Sequence, residues 1–94
     1  MAFDRESRDG RVRLSRVTRL LLLGPAREAA GVRDAEVDGA TVGDVLDRAV
    51  ERFGADFARV LIASQVWVNG EVASRSDAVG AYDEIEVLPP VSGG

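Results

Sequence analysis

The sequence predicts an α+β domain in which a mixed sheet of four to five strands carries one main helix across one face. Three observations lead there. Val42, Val45, Leu46, Ala49, Val50 and Phe53 recur with a 3.6-residue period, as one stripe of an amphipathic helix requires. Gln65-Val66-Trp67-Val68 and Glu71-Val72-Ala73 flank Asn69-Gly70, a strong short hairpin signal. Glu84-Ile85-Glu86-Val87-Leu88 alternates with a period of two, with Ile85 and Val87 inward.

In chain order, residues 1–16 hold five arginines against three acids and show no usable period. They read as a mobile N-terminal extension. Val17 to Leu23 is an apolar-rich run stopped by Gly24-Pro25, which favours a buried strand. Ala26 to Ala30 forms a short helical turn closed by Gly31. Arg33 to Val37 reads as a strand with Ala35 and Val37 on one face, ending at Asp38-Gly39. Thr41 and Asp44 set a capping-box-like start for the main helix, and Gly54 stops it. Between residues 55 and 64 the period blurs, and Phe57, Val60, Leu61 and Ile62 are expected to fold over the edge of the core. After the hairpin, residues 74–83 form a loop. Pro89 ends the last strand because it has no N–H to donate to a ladder.

Strand, strand, helix, strand pair, strand is the order of a β-grasp. The first and last strands then lie side by side and parallel, joined by a crossover through the helix. The domain spans 17–88, and 89–94 form a flexible tail. At 94 residues, a chain buries roughly two-thirds of its unfolded surface, enough for one modest core.

Composition narrows the chemistry. Apolar residues make up 46% of the chain and charged residues 30%, values of an ordinary globular domain. No run of about 18 apolar residues marks a membrane span, and the apolar part of Arg19 to Gly24 is short for a secretory signal. The expected location is the cytoplasm. The sequence has no Cys and no His, and all 12 of its basic residues are arginines. That removes disulfides, thiolate nucleophiles, the usual neutral-pH base and Schiff-base lysine chemistry. The expectation is a protein that is not itself an enzyme, with no metal and no bound cofactor. The net charge is −4, which disfavours phosphate backbones and so nucleic acid as a partner.

The last residues, Leu88-Pro89-Pro90-Val91-Ser92-Gly93-Gly94, carry the most chemistry. Glycine is 10 of the 94 residues, so a Gly-Gly end arises by chance in about one chain in a hundred of this composition. Pro89 and Pro90 fix φ and deny the tail further sheet pairing. Six residues at roughly 3.3 Å each reach about 20 Å. The result is a stiff stalk with a slim tip, which a narrow channel in another protein can admit. A free carboxylate is a poor electrophile, and adenylation by a partner would activate it. A terminal thiocarboxylate would let a chain without cysteine carry sulfur.

These features resemble the ubiquitin-like β-grasp sulfur carriers, of the molybdopterin synthase small subunit and thiamine sulfur carrier type. That group includes the small archaeal ubiquitin-like modifiers. The resemblance covers residues 17–94. It rests on Ala26-Arg27-Glu28-Ala29-Ala30-Gly31, Thr41-Val42-Gly43-Asp44-Val45-Leu46, Val68-Asn69-Gly70-Glu71, Asp83-Glu84-Ile85 and the final heptad. It implies that Gly94 is adenylated by an E1-like enzyme that uses ATP and is converted to a thiocarboxylate. That group would then donate sulfur on the large subunit of molybdopterin synthase. In the modifier branch, Gly94 instead forms isopeptide bonds with lysines of target proteins. Pro89, Pro90, Val91, Ser92 and Gly93 would occupy the partner's channel, and Leu88, expected to point outward beside the tail, would help dock the partner. The family usually has Gly before the Asp-Glu pair, where this chain has Tyr82. A plain binding module with an idle tail is the remaining reading.

Overall fold

The computed structural model describes residues 17–90. The N-terminal extension and the tail positions Val91, Ser92, Gly93 and Gly94 lie outside the described residues.

Strand β1 (Val17–Leu22) is followed by helix α1 (Pro25–Ala30) and strand β2 (Asp34–Asp38). Helices α2 (Val42–Phe53) and α3 (Ala55–Ile62) come next. Strands β3 (Gln65–Val68), β4 (Glu71–Val72) and β5 (Glu84–Leu88) complete the sheet. The five strands lie in the order β2-β1-β5-β3-β4. The β1–β5 pair is parallel, Leu20 beside Ile85 and Leu22 beside Val87; the other pairs are antiparallel. The expected adjacency of first and last strands is therefore present, and β5 is the central strand.

The period of α2 becomes burial. Val42, Val45, Leu46 and Ala49 are buried against Leu20, Leu22, Val37, Ile85 and Val87 of the sheet. Thr41 caps the helix by accepting the Asp44 N–H at 3.1 Å, and the Asp44 carboxylate accepts the Ala40 N–H at 3.3 Å. Thr18, buried on the core side of β1, donates its hydroxyl to Gly80 O at 3.1 Å. The segment between β4 and β5 satisfies the first free amides of α2. Val42 N–H donates to Asp77 O and Gly43 N–H to Arg75 O, each at 2.9 Å.

The hairpin forms as expected. Asn69 and Gly70 both take positive φ, 52° and 87°, as a primed two-residue turn demands. Tyr82 does not take positive φ, so the turn before β5 proceeds without glycine there. That turn closes through the Asp83 N–H to Gly80 O at 3.1 Å and the Gly80 N–H to the Asp83 carboxylate at 2.8 Å. Tyr82 itself points to solvent, 98% exposed.

Residues 55–62, where the sequence pattern blurs, form the regular helix α3; Phe57, Val60 and Leu61 pack on the core as expected, but Ile62, expected there too, falls on the outer side of the helix and is 86% exposed. Phe57 is its anchor. It is fully buried, edge-on to Phe53 at a centroid distance of 5.3 Å. The fold thus carries a second helix of substance beside the main one.

A steric prediction concerns Gly39, at the entry to α2. A Cβ placed there would lie 2.7 Å from Val45 Cγ2 and 2.8 Å from the Val45 backbone nitrogen. The backbone contact cannot be relieved by a rotamer change. Gly39→Ala is expected to destabilise the domain by about 1–3 kcal/mol, the range of overpacking, read as a lower urea midpoint with unchanged slope.

Candidate functional site

The tail root is built by the central strand. Ile85 and Val87 point into the core, which turns Glu84, Glu86 and Leu88 to the open face of the sheet. Leu23 N–H donates to Val87 O at 3.0 Å, tying the end of β5 to the turn after β1. Pro89 then leaves the sheet against that turn. Gly24 has φ 58° and ψ −132°, and a Cβ there would stand 3.3 Å from Pro89 Cγ. Glycine is therefore favoured at position 24 on two counts, backbone conformation and closeness to the tail root. Pro89 and Pro90 are exposed. The other tail positions read from the sequence, Val91 to Gly94, fall outside the described residues.

Among the described residues no helix covers the outer face of the sheet; α2 packs on the core side. The register sets Asp34, Leu21, Glu86, Trp67 and Val72 in one row across all five strands. Glu36, Arg19 and Glu84 form the neighbouring row on one side. On the other side Leu88 pairs with Gln65. Leu21, Trp67 and Leu88 are half-buried, and Val72 is 77% exposed. Trp67 donates its indole N–H to the Gln65 side-chain oxygen at 3.1 Å, so its polar edge is already satisfied. Leu88, expected to be exposed beside the tail, is on the outer face as read but only half open. The apolar centre of this face is flanked by carboxylates, and Arg19 is engaged with Asp34 at 3.2 Å.

Two parts of the site were not read from the sequence. Leu21 lies inside a run of four leucines, where a period of two is invisible, so its outward direction could not be assigned. Val72 was read only as hairpin strand; its place in the apolar row follows from register with Trp67.

A second groove lies at the hairpin end, lined by Asn69, Glu71, Val72, Asp77 and Asp83 among others. Two of its carboxylates serve the loop. Asp77 accepts the Ser74 N–H at 2.9 Å, and Asp83 accepts the Asn69 amide at 2.9 Å and the Gly80 N–H. These contacts hold the chain that leads into β5. Among the described residues no group of three or more His, Cys, Asp or Glu is placed to hold a metal ion. Among them too, no helix is long and apolar enough to cross a membrane.

Residues 20–94 match the ThiS family. Small archaeal modifier protein 1 of Haloferax volcanii is 39% identical over 83 residues, 78% of this chain and 95% of that protein. A crystal structure of that modifier superposes with a TM-score of 0.72 at 38% identity, covering 83% of this chain and 99% of the other. The crystallised BexX/CysO complex of Amycolatopsis orientalis matches with a TM-score of 0.68 at 25% identity, over 82% of this chain and 99% of the matched one. A putative molybdopterin converting factor subunit 1 of Pyrococcus furiosus shares the fold, with a TM-score of 0.73 at 24% identity over 82% and 100% of the two chains.

Proposed function

Because the chain belongs to the ThiS family of ubiquitin-like carrier and modifier proteins, we propose that it is a carrier whose reactive group is the Gly94 carboxylate. It is a substrate of partner enzymes and not itself a catalyst. The observation that carries this reading is the extent of the family match, which runs through the whole tail to Gly94.

The proposed chemistry takes place on a partner. A Gly94 carboxylate oxygen attacks the α-phosphorus of ATP in an E1-like enzyme, pyrophosphate leaves, and an acyl-adenylate forms. The terminal sulfur of a partner's persulfide then takes the acyl carbon, AMP departs, and a thiol attacks the resulting acyl disulfide, forming a new disulfide with the donor sulfur and releasing Gly94 as a thiocarboxylate. The chain supplies a stalk for this. β5 fixes the root, Pro89 and Pro90 stiffen the exit, and Gly93 and Gly94 bring no side chain into the channel. The open sheet face around Leu21, Trp67 and Leu88 is the surface that meets the partner. The thiocarboxylate then donates sulfur to an acceptor, as in molybdopterin cofactor assembly on the synthase large subunit. ATP is consumed by the activating enzyme, no cofactor is held by the chain, and the site of action is the cytoplasm.

The identity with an archaeal modifier protein favours a second reading on the same tail. There a target lysine amine attacks the activated carbonyl, AMP leaves, and an isopeptide bond forms. The chain has no lysine and its last arginine is Arg75. Trypsin therefore leaves the branch Ser76–Gly94 on a modified lysine, and searches for a bare Gly-Gly remnant would miss it.

The test of the shared step is ATP–pyrophosphate exchange by the E1-like enzyme encoded in the same genome, with the full chain as substrate. Exchange that depends on the chain is expected. No exchange above the enzyme alone removes both readings and leaves a binding module with an idle tail.

A further inference from the structure

A shallow groove of about 260 Å³ opens at the tail root, lined by Leu21, Leu22, Leu23, Arg27, Arg33 and Glu86. It shares Leu21 and Glu86 with the outer face. It adjoins the Gly24 turn on which Pro89 rests. Two arginines belong to its lining, one from α1 and one from the loop before β2.

The arginines elsewhere in the described residues are mostly engaged. Arg19 pairs with Asp34, Arg59 with Asp56 and Arg75 with Asp47. Arg52 donates to Glu36 O at 3.0 Å. Arg27 and Arg33 form no ion pair within the described residues, although the domain is rich in carboxylates. These two guanidinium groups share the lining with one carboxylate, Glu86, so the groove keeps an excess of positive charge. They suit a carboxylate brought from outside, since the guanidinium fork matches a carboxylate with two parallel hydrogen bonds.

The lining also selects the ligand. Two guanidinium groups against the Glu86 carboxylate leave a net charge of one. That fits a single carboxylate better than a phosphate dianion. Leu21, Leu22 and Leu23 add an apolar wall that rewards an adjacent apolar side chain. The rest of the outer face has the opposite sign, with Asp34, Glu36, Asp38 and Glu84 on β2 and β5.

We infer that the Leu21–Leu23, Arg27 and Arg33 groove docks an acidic–apolar segment of the enzyme that activates the tail. Whatever protein swallows the tail meets the groove at the channel mouth, and the activating enzyme is the first that must do so. The charge layout fixes the orientation of that partner: a carboxylate beside the channel mouth, basic groups toward β2. The same contact gives the Arg27 of Ala26-Arg27-Glu28-Ala29-Ala30-Gly31 a role in recognition, beyond that of a turn residue. This inference rests on the proposed adenylation of Gly94.

The test is chain-dependent ATP–pyrophosphate exchange by the E1-like enzyme of the same genome, with the full chain in wild-type, R27E/R33E, R27Q/R33Q and R48E forms. Arg48 is exposed on α2, away from the sheet face, and controls for a charge reversal outside the groove. Thermal unfolding of each variant verifies the fold. Expected is a rise in KM for the chain of about tenfold or more in R27E/R33E, equal to about 1.4 kcal/mol, a smaller rise in R27Q/R33Q, and kcat unchanged. The KM of the wild type should rise with salt more steeply than that of R27Q/R33Q. Equal KM values in R27E/R33E and R48E overturn the groove and leave the carrier reading intact. Absence of exchange with the wild type overturns the carrier reading and the groove with it.

Discussion

Removing Gly93 and Gly94 is expected to leave thermal unfolding where it is and to lower adenylation of the chain by more than about a thousandfold. The two halves of that result follow from different parts of the molecule. Among the described residues the buried core runs from Leu20 to Val87, ahead of the tail. The truncated carboxylate, however, would sit about 7 Å short of its place in the partner, and would carry the Ser92 side chain into a channel shaped for glycine. Positioning of reacting groups is worth up to about 7–11 kcal/mol, so a loss of several powers of ten is the natural scale. Exchange kinetics with wild-type and truncated chains measure it. Equal rates would show that the tail is not the reacting group.

The largest effect on stability is expected from Phe57→Ala. Phe57 is fully buried where α3 meets α2. Truncation removes the ring and leaves a cavity, at about 3–5 kcal/mol for this class of change. A domain of this size has about 5–15 kcal/mol in total, so much of its margin disappears. Ile62→Ala, on the same helix but 86% exposed, should stay within about 0.5 kcal/mol. Urea unfolding of the two variants gives the contrast directly. Similar midpoints would mean that α3 does not anchor the core.

Position 57 also shows where reading the sequence stopped. In α2 the stripe runs through three turns between a threonine cap and a glycine stop, and the helix was legible end to end. In α3 only two turns exist, Gly54 supplies no side-chain cap, and the outward Ile62 breaks the apolar period. Phe57, Val60 and Leu61 do keep helical spacing, and that was the available signal. The strands divide likewise. β5 alternates and its inward residues were assigned from the sequence alone. β1 is leucine from 20 to 23, so the pattern could not say which leucines face out.

For the candidate site, the tail was legible because it is a local chemical feature: two prolines to stiffen, two glycines to fit. The tail root was not. Gly24 meets Pro89, and Leu21 stands beside Glu86, only because the first and last strands are neighbours in the sheet. Their parallel pairing was foreseen, but the register that joins Arg27 and Arg33 to this corner needs coordinates. The arginine rim belongs to that second class: two residues six apart in sequence, ordinary surface charges until the groove between them is seen.

The measurement that bears most directly on the central claim is the intact mass of the chain isolated from its native host, with its protein conjugates analysed beside it. The account predicts a population with one terminal oxygen replaced by sulfur at Gly94. A Ser76–Gly94 branch on target lysines would instead establish the modifier role of the same carboxylate. Only unmodified chain, with the activating enzyme active and ATP present, would contradict the claim that Gly94 is the reactive group.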